Sequence, residues 1–207
     1  MTSYTAPPTK TPPTPTLAAD WNTYIRDNEG VLRANALSGL GELIETLSPS
    51  ASTGITTATL PVTYSHLAIR GYGLVASTAA NFTITFNGDT GTNYGYTIQG
   101  RTTGGGVNDN DVAIGSAAGI VVGVSSFLPA ANNHAATFTF EILSYRSTTY
   151  NKNLFGIGVG RTGANVLTTF NITGVWAPAT PAAITSITFT PSTGNMTGTI
   201  CIYGMND

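Results

Sequence analysis

From Leu40 onward, apolar and polar residues alternate with a period of two. Phe82, Ile84 and Phe86 alternate with Thr83 and Thr85, and Phe138, Phe140 and Ile142 with Thr137, Thr139 and Glu141. Ile187 and Phe189 alternate with Thr188 and Thr190. A period of two sends successive side chains to opposite faces of a strand. Further strands are predicted near 41–47, 65–75, 93–99, 119–124, 166–176 and 198–205. Turn-forming clusters separate them, as at Asn87-Gly88-Asp89 and between Pro191 and Asn195. Many short antiparallel strands with one wet face predict a mainly β domain over 39–207, an antiparallel β-sandwich of jelly-roll-like type. Threonine suits the wet faces because it is both β-branched and polar.

Two segments precede that domain. Residues 1–16 carry prolines at positions 7, 8, 12, 13 and 15, interleaved with threonines. Proline at this density forbids helix and favours an extended arm. In residues 17–38 the spacing changes: Leu17, Trp21, Ile25, Asn28 and Leu32 fall on one helical stripe beside Tyr24. Thr16 is placed to cap the start and Gly30 the end. About three turns do not hold together alone, so the aromatic stripe is expected to be buried on the β domain or on a neighbouring chain.

Charge changes the picture. Only 9% of residues are charged, against a typical ~25%, and from Thr162 to Asn206 there is no charged side chain. Such a surface is polar enough to dissolve and neutral enough to stack on copies of itself. Net charge is −2 and the eight basic residues are scattered, so no nucleic-acid footprint is expected. No stretch reaches the ~18 apolar residues of a membrane span. Met1-Thr2-Ser3-Tyr4 is not a basic start leading into an apolar run, so a signal peptide is not expected. The one cysteine, Cys201, excludes an internal disulfide framework and reads as a small strand or core residue.

Candidate chemistry is sparse, and neither a cofactor nor a catalytic role is expected. Gly156-Ile157-Gly158-Val159-Gly160 lacks phosphate-loop spacing. Its alternation predicts a strand with a bare face where another backbone comes close. Asn108-Asp109-Asn110-Asp111 offers oxygen ligands of the kind Ca²⁺ prefers, but lacks the glycine and glutamate of an EF-hand loop. Following Gly104-Gly105-Gly106, it reads as a solvated loop. His66, expected at a strand start, and His134, in a turn, have no nucleophile elbow to serve. The carboxylates of the β region (Glu42, Glu45, Asp89, Asp109, Asp111, Glu141 and Asp207) suggest no facing pair for glycoside hydrolysis.

Several segments, in order, resemble small bacteriophage virion structural proteins. They are Ala19-Asp20-Trp21-Asn22-Thr23-Tyr24-Ile25-Arg26-Asp27-Asn28 after the Pro/Thr arm, Glu42–Thr46 leading through Leu60–Leu67, and Phe86-Asn87-Gly88-Asp89-Thr90-Gly91-Thr92-Asn93-Tyr94. Ser144–Lys152 and the tail from Gly194 to Gly204 complete the set. The resemblance implies a place in a virion, assembled in the bacterial host cytoplasm, with other copies of itself (a trimer) and phage capsid or tail proteins as partners. Within it, Pro12, Pro13, Trp21, Tyr24, Ile25, Arg26 and Asp27 are candidate anchoring residues, since buried aromatics dominate interface energy. One expectation is a passive decoration or accessory subunit. The other is a receptor-binding tip holding host surface glycan in a groove of Tyr72, Tyr94, Tyr96, Tyr145, Tyr150 and Trp176.

Overall fold

The computed structural model describes residues 41–102, 108–123, 126–130, 134–161 and 166–206. The arm at 1–16, the helix at 17–38 and all seven candidate anchoring residues lie outside them. The described residues form twelve strands: β1 (Glu42–Leu47), β2 (Ile55–Thr56), β3 (His66–Ala76), β4 (Phe82–Phe86), β5 (Tyr94–Thr102), β6 (Asn108–Ala117), β7 (Ile120–Val122), β8 (Ala136–Leu143), β9 (Lys152–Arg161), β10 (Leu167–Trp176), β11 (Ile187–Pro191) and β12 (Met196–Met205). They make two antiparallel sheets. One has eight strands in the order β1-β12-β3-β8-β9-β10-β5-β6, and the other four in the order β2-β11-β4-β7. The inner residues of both sheets join in one apolar core.

Aromatic rings fill that core. Phe82 on β4 meets Phe138 on β8 at 5.1 Å between centroids, and Phe138 stacks on Phe140 at 4.4 Å. Phe127, which follows β7, meets Phe170 on β10 edge-on at 4.8 Å. Each such pair contributes about 0.5–1.5 kcal/mol beyond its burial. The rings need room, and β9 provides it. Gly156, Gly158 and Gly160 turn inward, where a methyl group on Gly158 would collide with the Phe170 ring. One on Gly156 would collide with the Thr139 carbonyl and Phe140. The bare face anticipated for this strand is therefore covered by rings as well as backbone. Alternation then obliges Phe155, Ile157 and Val159 to point outward.

The expected strands at β1, β3, β4, β5, β8, β9, β10, β11 and β12 are present, and β7 is a shorter form of 119–124. One expectation is corrected. Asn108-Asp109-Asn110-Asp111 is not a loop but the start of β6, in register with β5 through Arg101↔Asn108, Gly100↔Asp109, Gln99↔Asn110 and Ile98↔Asp111. Backbone pairing in the hairpin outweighs the poor strand propensity of Asn and Asp.

Two substitutions test this packing by urea unfolding. Gly156→Ala places a methyl group against backbone that cannot yield, and is expected to lower stability by about 1–3 kcal/mol. Thr168 on β10 is fully buried and its hydroxyl has no hydrogen-bond partner among the described residues. Thr168→Val, nearly the same shape without the hydroxyl, is expected to raise stability by roughly 1 kcal/mol.

Candidate functional site

The motif Phe86–Tyr94 begins with a tight turn. Asn87 and Gly88 have φ of 54° and 67°, and the Asp89 amide donates to the Phe86 carbonyl at 2.9 Å. Left-handed conformation at both central residues defines the turn that Asn-Gly favours in hairpins. Here it does not join paired strands, because β4 and β5 belong to different sheets. It opens a corner instead. Asn87 binds the segment before β11: its Oδ1 accepts from the Thr185 amide at 2.7 Å and its Nδ2 donates to the Ala183 carbonyl at 2.8 Å.

Asp89 is the hub of that corner. Its Oδ2 accepts from Trp176 Nε1 at 2.7 Å and Asn93 Nδ2 at 2.9 Å, and its Oδ1 accepts from the Gly91 amide at 2.8 Å. Burial pushes the carboxyl pKa up, but these three donors outweigh it and hold the group below its usual 3.8. The Tyr94 hydroxyl donates to the Asp89 carbonyl at 3.0 Å and accepts from the Phe86 amide at 2.9 Å. Burial pushes Tyr94 up to about 12. Every polar group of Asp89 and Tyr94 is thus spent on structure.

The Ser144–Lys152 motif is a second tight connection, here between β8 and β9 of the same sheet. Lys152 is the inward-facing first residue of β9 and is buried. Its ammonium donates to the Ser147 carbonyl at 2.6 Å and the Tyr150 carbonyl at 2.5 Å, closing the turn between β8 and β9. Burial lowers its pKa. Tyr145 points into the core and its hydroxyl donates to the Pro61 carbonyl.

The proposed aromatic groove does not form from its six residues. Tyr94, Tyr96, Tyr145 and Trp176 are core residues, and only Tyr72 and Tyr150 are exposed. Cys201 is buried in β12, with Sγ 3.8 Å from the Thr46 hydroxyl and 3.9 Å from that of Tyr72. His66 opens β3 as expected, and its Nδ1 accepts from the Ser144 amide at 2.9 Å. Both Glu45 carboxylate oxygens accept from the Ala58 amide. Among the described residues no group of three or more His, Cys, Asp or Glu is placed to hold a metal ion. Nor is any helix there long and apolar enough to cross a membrane.

A different surface stands out on the outer face of the eight-stranded sheet. Phe155, Ile157 and Val159 are 40%, 60% and 43% exposed, in one row along β9. Beside that row lies an open groove of about 610 Å³, lined by outward side chains of β5, β8, β9 and β10. Gln99, Arg101, Thr169 and Asn171 form one wall, and Ile157 and Val159 the apolar part. Sequence reasoning missed this face. The available signal was the glycine alternation of β9, because glycines beneath aromatic rings leave the large residues outside.

No protein-family model, curated protein or solved structure matches this chain.

Asp89→Ala strips the acceptor from the buried Trp176 indole and is expected to cost about 1–3 kcal/mol in urea unfolding. The acid limb has a defined sign. A carboxyl lowered by folding stabilises fully above its ordinary value of 3.8, and the contribution is lost as pH falls below it through the folded-state value. Asp89→Asn removes that titration, so its stability profile should be flatter than wild type below the same pH.

Proposed function

We propose that this chain is a non-enzymatic bacteriophage virion structural protein, a decoration or accessory subunit on the capsid or tail surface. In this reading the two sheets form a β-sandwich, jelly-roll-like in how the chain passes between sheets, and the N-terminal arm and helix anchor it to the particle. The observation that carries the proposal is the outer sheet face. It carries the apolar row Phe155, Ile157 and Val159 along its middle, threonine and asparagine beside Ile157 and Val159, and scattered charges at Arg70, Arg101, Glu141 and Arg161, which suits stacking against identical neighbours better than standing in water as a monomer. The resemblance of the corner motifs to phage virion proteins points the same way, and gives those motifs a scaffolding role. His66, Asp89 and Lys152 support a non-catalytic reading, since each has a polar group engaged in holding a turn or corner.

The receptor-binding alternative draws on one observation, the groove beside Ile157. Its amide, hydroxyl and guanidinium groups match the hydrogen-bonding needs of a sugar. It offers no stacked aromatic wall, so decoration is preferred.

Purified phage particles carrying this gene provide the test. Mass spectrometry should find the chain in many copies per particle, and cryo-EM should place it on the shell or tail tube with residues 1–38 against the particle. Distal tail density with the groove facing outward would favour host recognition. Absence of the chain from intact particles would sink the proposal.

A further inference from the structure

We propose that Asn87 is a gated deamidation site. The β4–β5 corner keeps its side-chain amide intact while the chain is folded. Opening of the corner lets the amide convert to aspartate or isoaspartate, a covalent mark that the corner cannot take back. This gate does not depend on the virion reading.

Three observations carry it. The first is the sequence. Asn87-Gly88 is the one Asn-Gly pair in the chain. Loss of the amide begins when the backbone nitrogen of the next residue, its proton taken by hydroxide, attacks the asparagine Cγ. The Cγ–Nδ2 bond breaks, ammonia leaves, and a five-membered succinimide remains. Water then opens that ring at either carbonyl, giving aspartate or isoaspartate. Glycine leaves the attacking nitrogen unobstructed and the backbone free to turn. Solvent supplies the water and hydroxide, and Asn87 is exposed to both.

The second is the backbone. Asn87 has φ of 54° and Gly88 67°, and the Asp89 amide closes the turn on the Phe86 carbonyl at 2.9 Å. Viewed along the Cα–C bond of a left-handed residue, the next nitrogen stands nearly opposite Cβ. Ring closure needs the two almost eclipsed. Exposure therefore does not decide the rate, because the turn must come apart before Gly88 N and Asn87 Cγ can meet.

The third is the side chain. Oδ1 accepts from the Thr185 amide at 2.7 Å, the Thr185 hydroxyl at 3.1 Å and the Ser186 amide at 3.2 Å, while Nδ2 donates to the Ala183 carbonyl at 2.8 Å. The Asn87 amide also donates to the Ser186 carbonyl at 3.0 Å. Conversion must release this set, so its rate follows the fraction of time the corner is open. The product cannot rebuild it. Aspartate has no donor for the Ala183 carbonyl and sets a carboxylate against that oxygen. Isoaspartate lengthens the main chain by one carbon inside a tight turn.

The test holds the purified full-length chain at mildly alkaline pH, folded in one sample and in concentrated urea in another. Peptide mapping by mass spectrometry follows aspartate and isoaspartate at position 87. The unfolded chain should convert about tenfold faster or more. Asp89→Ala, which loosens the same corner, should convert several-fold faster than wild type without urea. Asn87→Asp, which carries the mark from synthesis, should have a lower urea midpoint than wild type. Equal rates in the folded and unfolded chain, or no conversion in either, would overturn the gate. So would an Asp89→Ala chain that unfolds at lower urea yet converts at the wild-type rate. A wild-type midpoint in Asn87→Asp would overturn the mark.

Discussion

Rings set against glycines hold this fold together and shape its surface. Phe82 lies within 6.4 Å of Phe127, Phe138, Phe140 and Phe189, so one ring from the small sheet contacts rings from both sheets and from the segment after β7. Such a cluster fits only if the strand beneath it lacks side chains. β9 meets that condition with Gly156, Gly158 and Gly160, and close packing leaves no slack for even a methyl group. The outward row of Phe155, Ile157 and Val159 follows from the same constraint, because a strand that gives its glycines to the core must give its bulk to the outside.

Polar chemistry is concentrated at connections between strands. Asp89 ties the β4–β5 corner to the end of β10, and Lys152 ties the β8–β9 turn to the core wall. Each ionised group is almost saturated by neutral donors or acceptors from nearby backbone and side chains. This is how a charge is kept at a packed corner without an ion-pair partner. The two motifs with the most distinctive sequence are thus joints of the framework, which accounts for their composition.

Removing charge from the faces has a consequence beyond solubility. Threonine, asparagine and glutamine can exchange water for hydrogen bonds to a neighbour at little net cost, whereas lysine and glutamate resist desolvation. A face of that kind, with three apolar residues in its middle, is cheap to bury. The strand register also places charges on that face, Arg70, Arg101, Arg161 and Glu141, and they are spread over four different strands.

The sequence by itself determined that most of the described residues are strand. Period-two alternation survives in β4, β8, β10 and β11 because the period belongs to the backbone and needs no partner. It also determined the tight turn at Asn87-Gly88, since left-handed φ at two successive residues admits few other pairs. What it left open was the sign of each alternation and the identity of each neighbour. In Phe155–Gly160 the large residues look like the core face, and only the presence of Phe127, Phe140 and Phe170 opposite β9 makes the glycines the inner set. Asn108–Asp111 reads as a loop until β5 supplies its ladder. The tyrosines looked alike in the sequence, yet Tyr94 and Tyr145 went inside because backbone acceptors lay within reach of their hydroxyls, while Tyr72 and Tyr150 stayed out. Local pattern records what a segment prefers to be. Which face is buried is decided by what other segments bring to it, and that is known only when the sheets have closed.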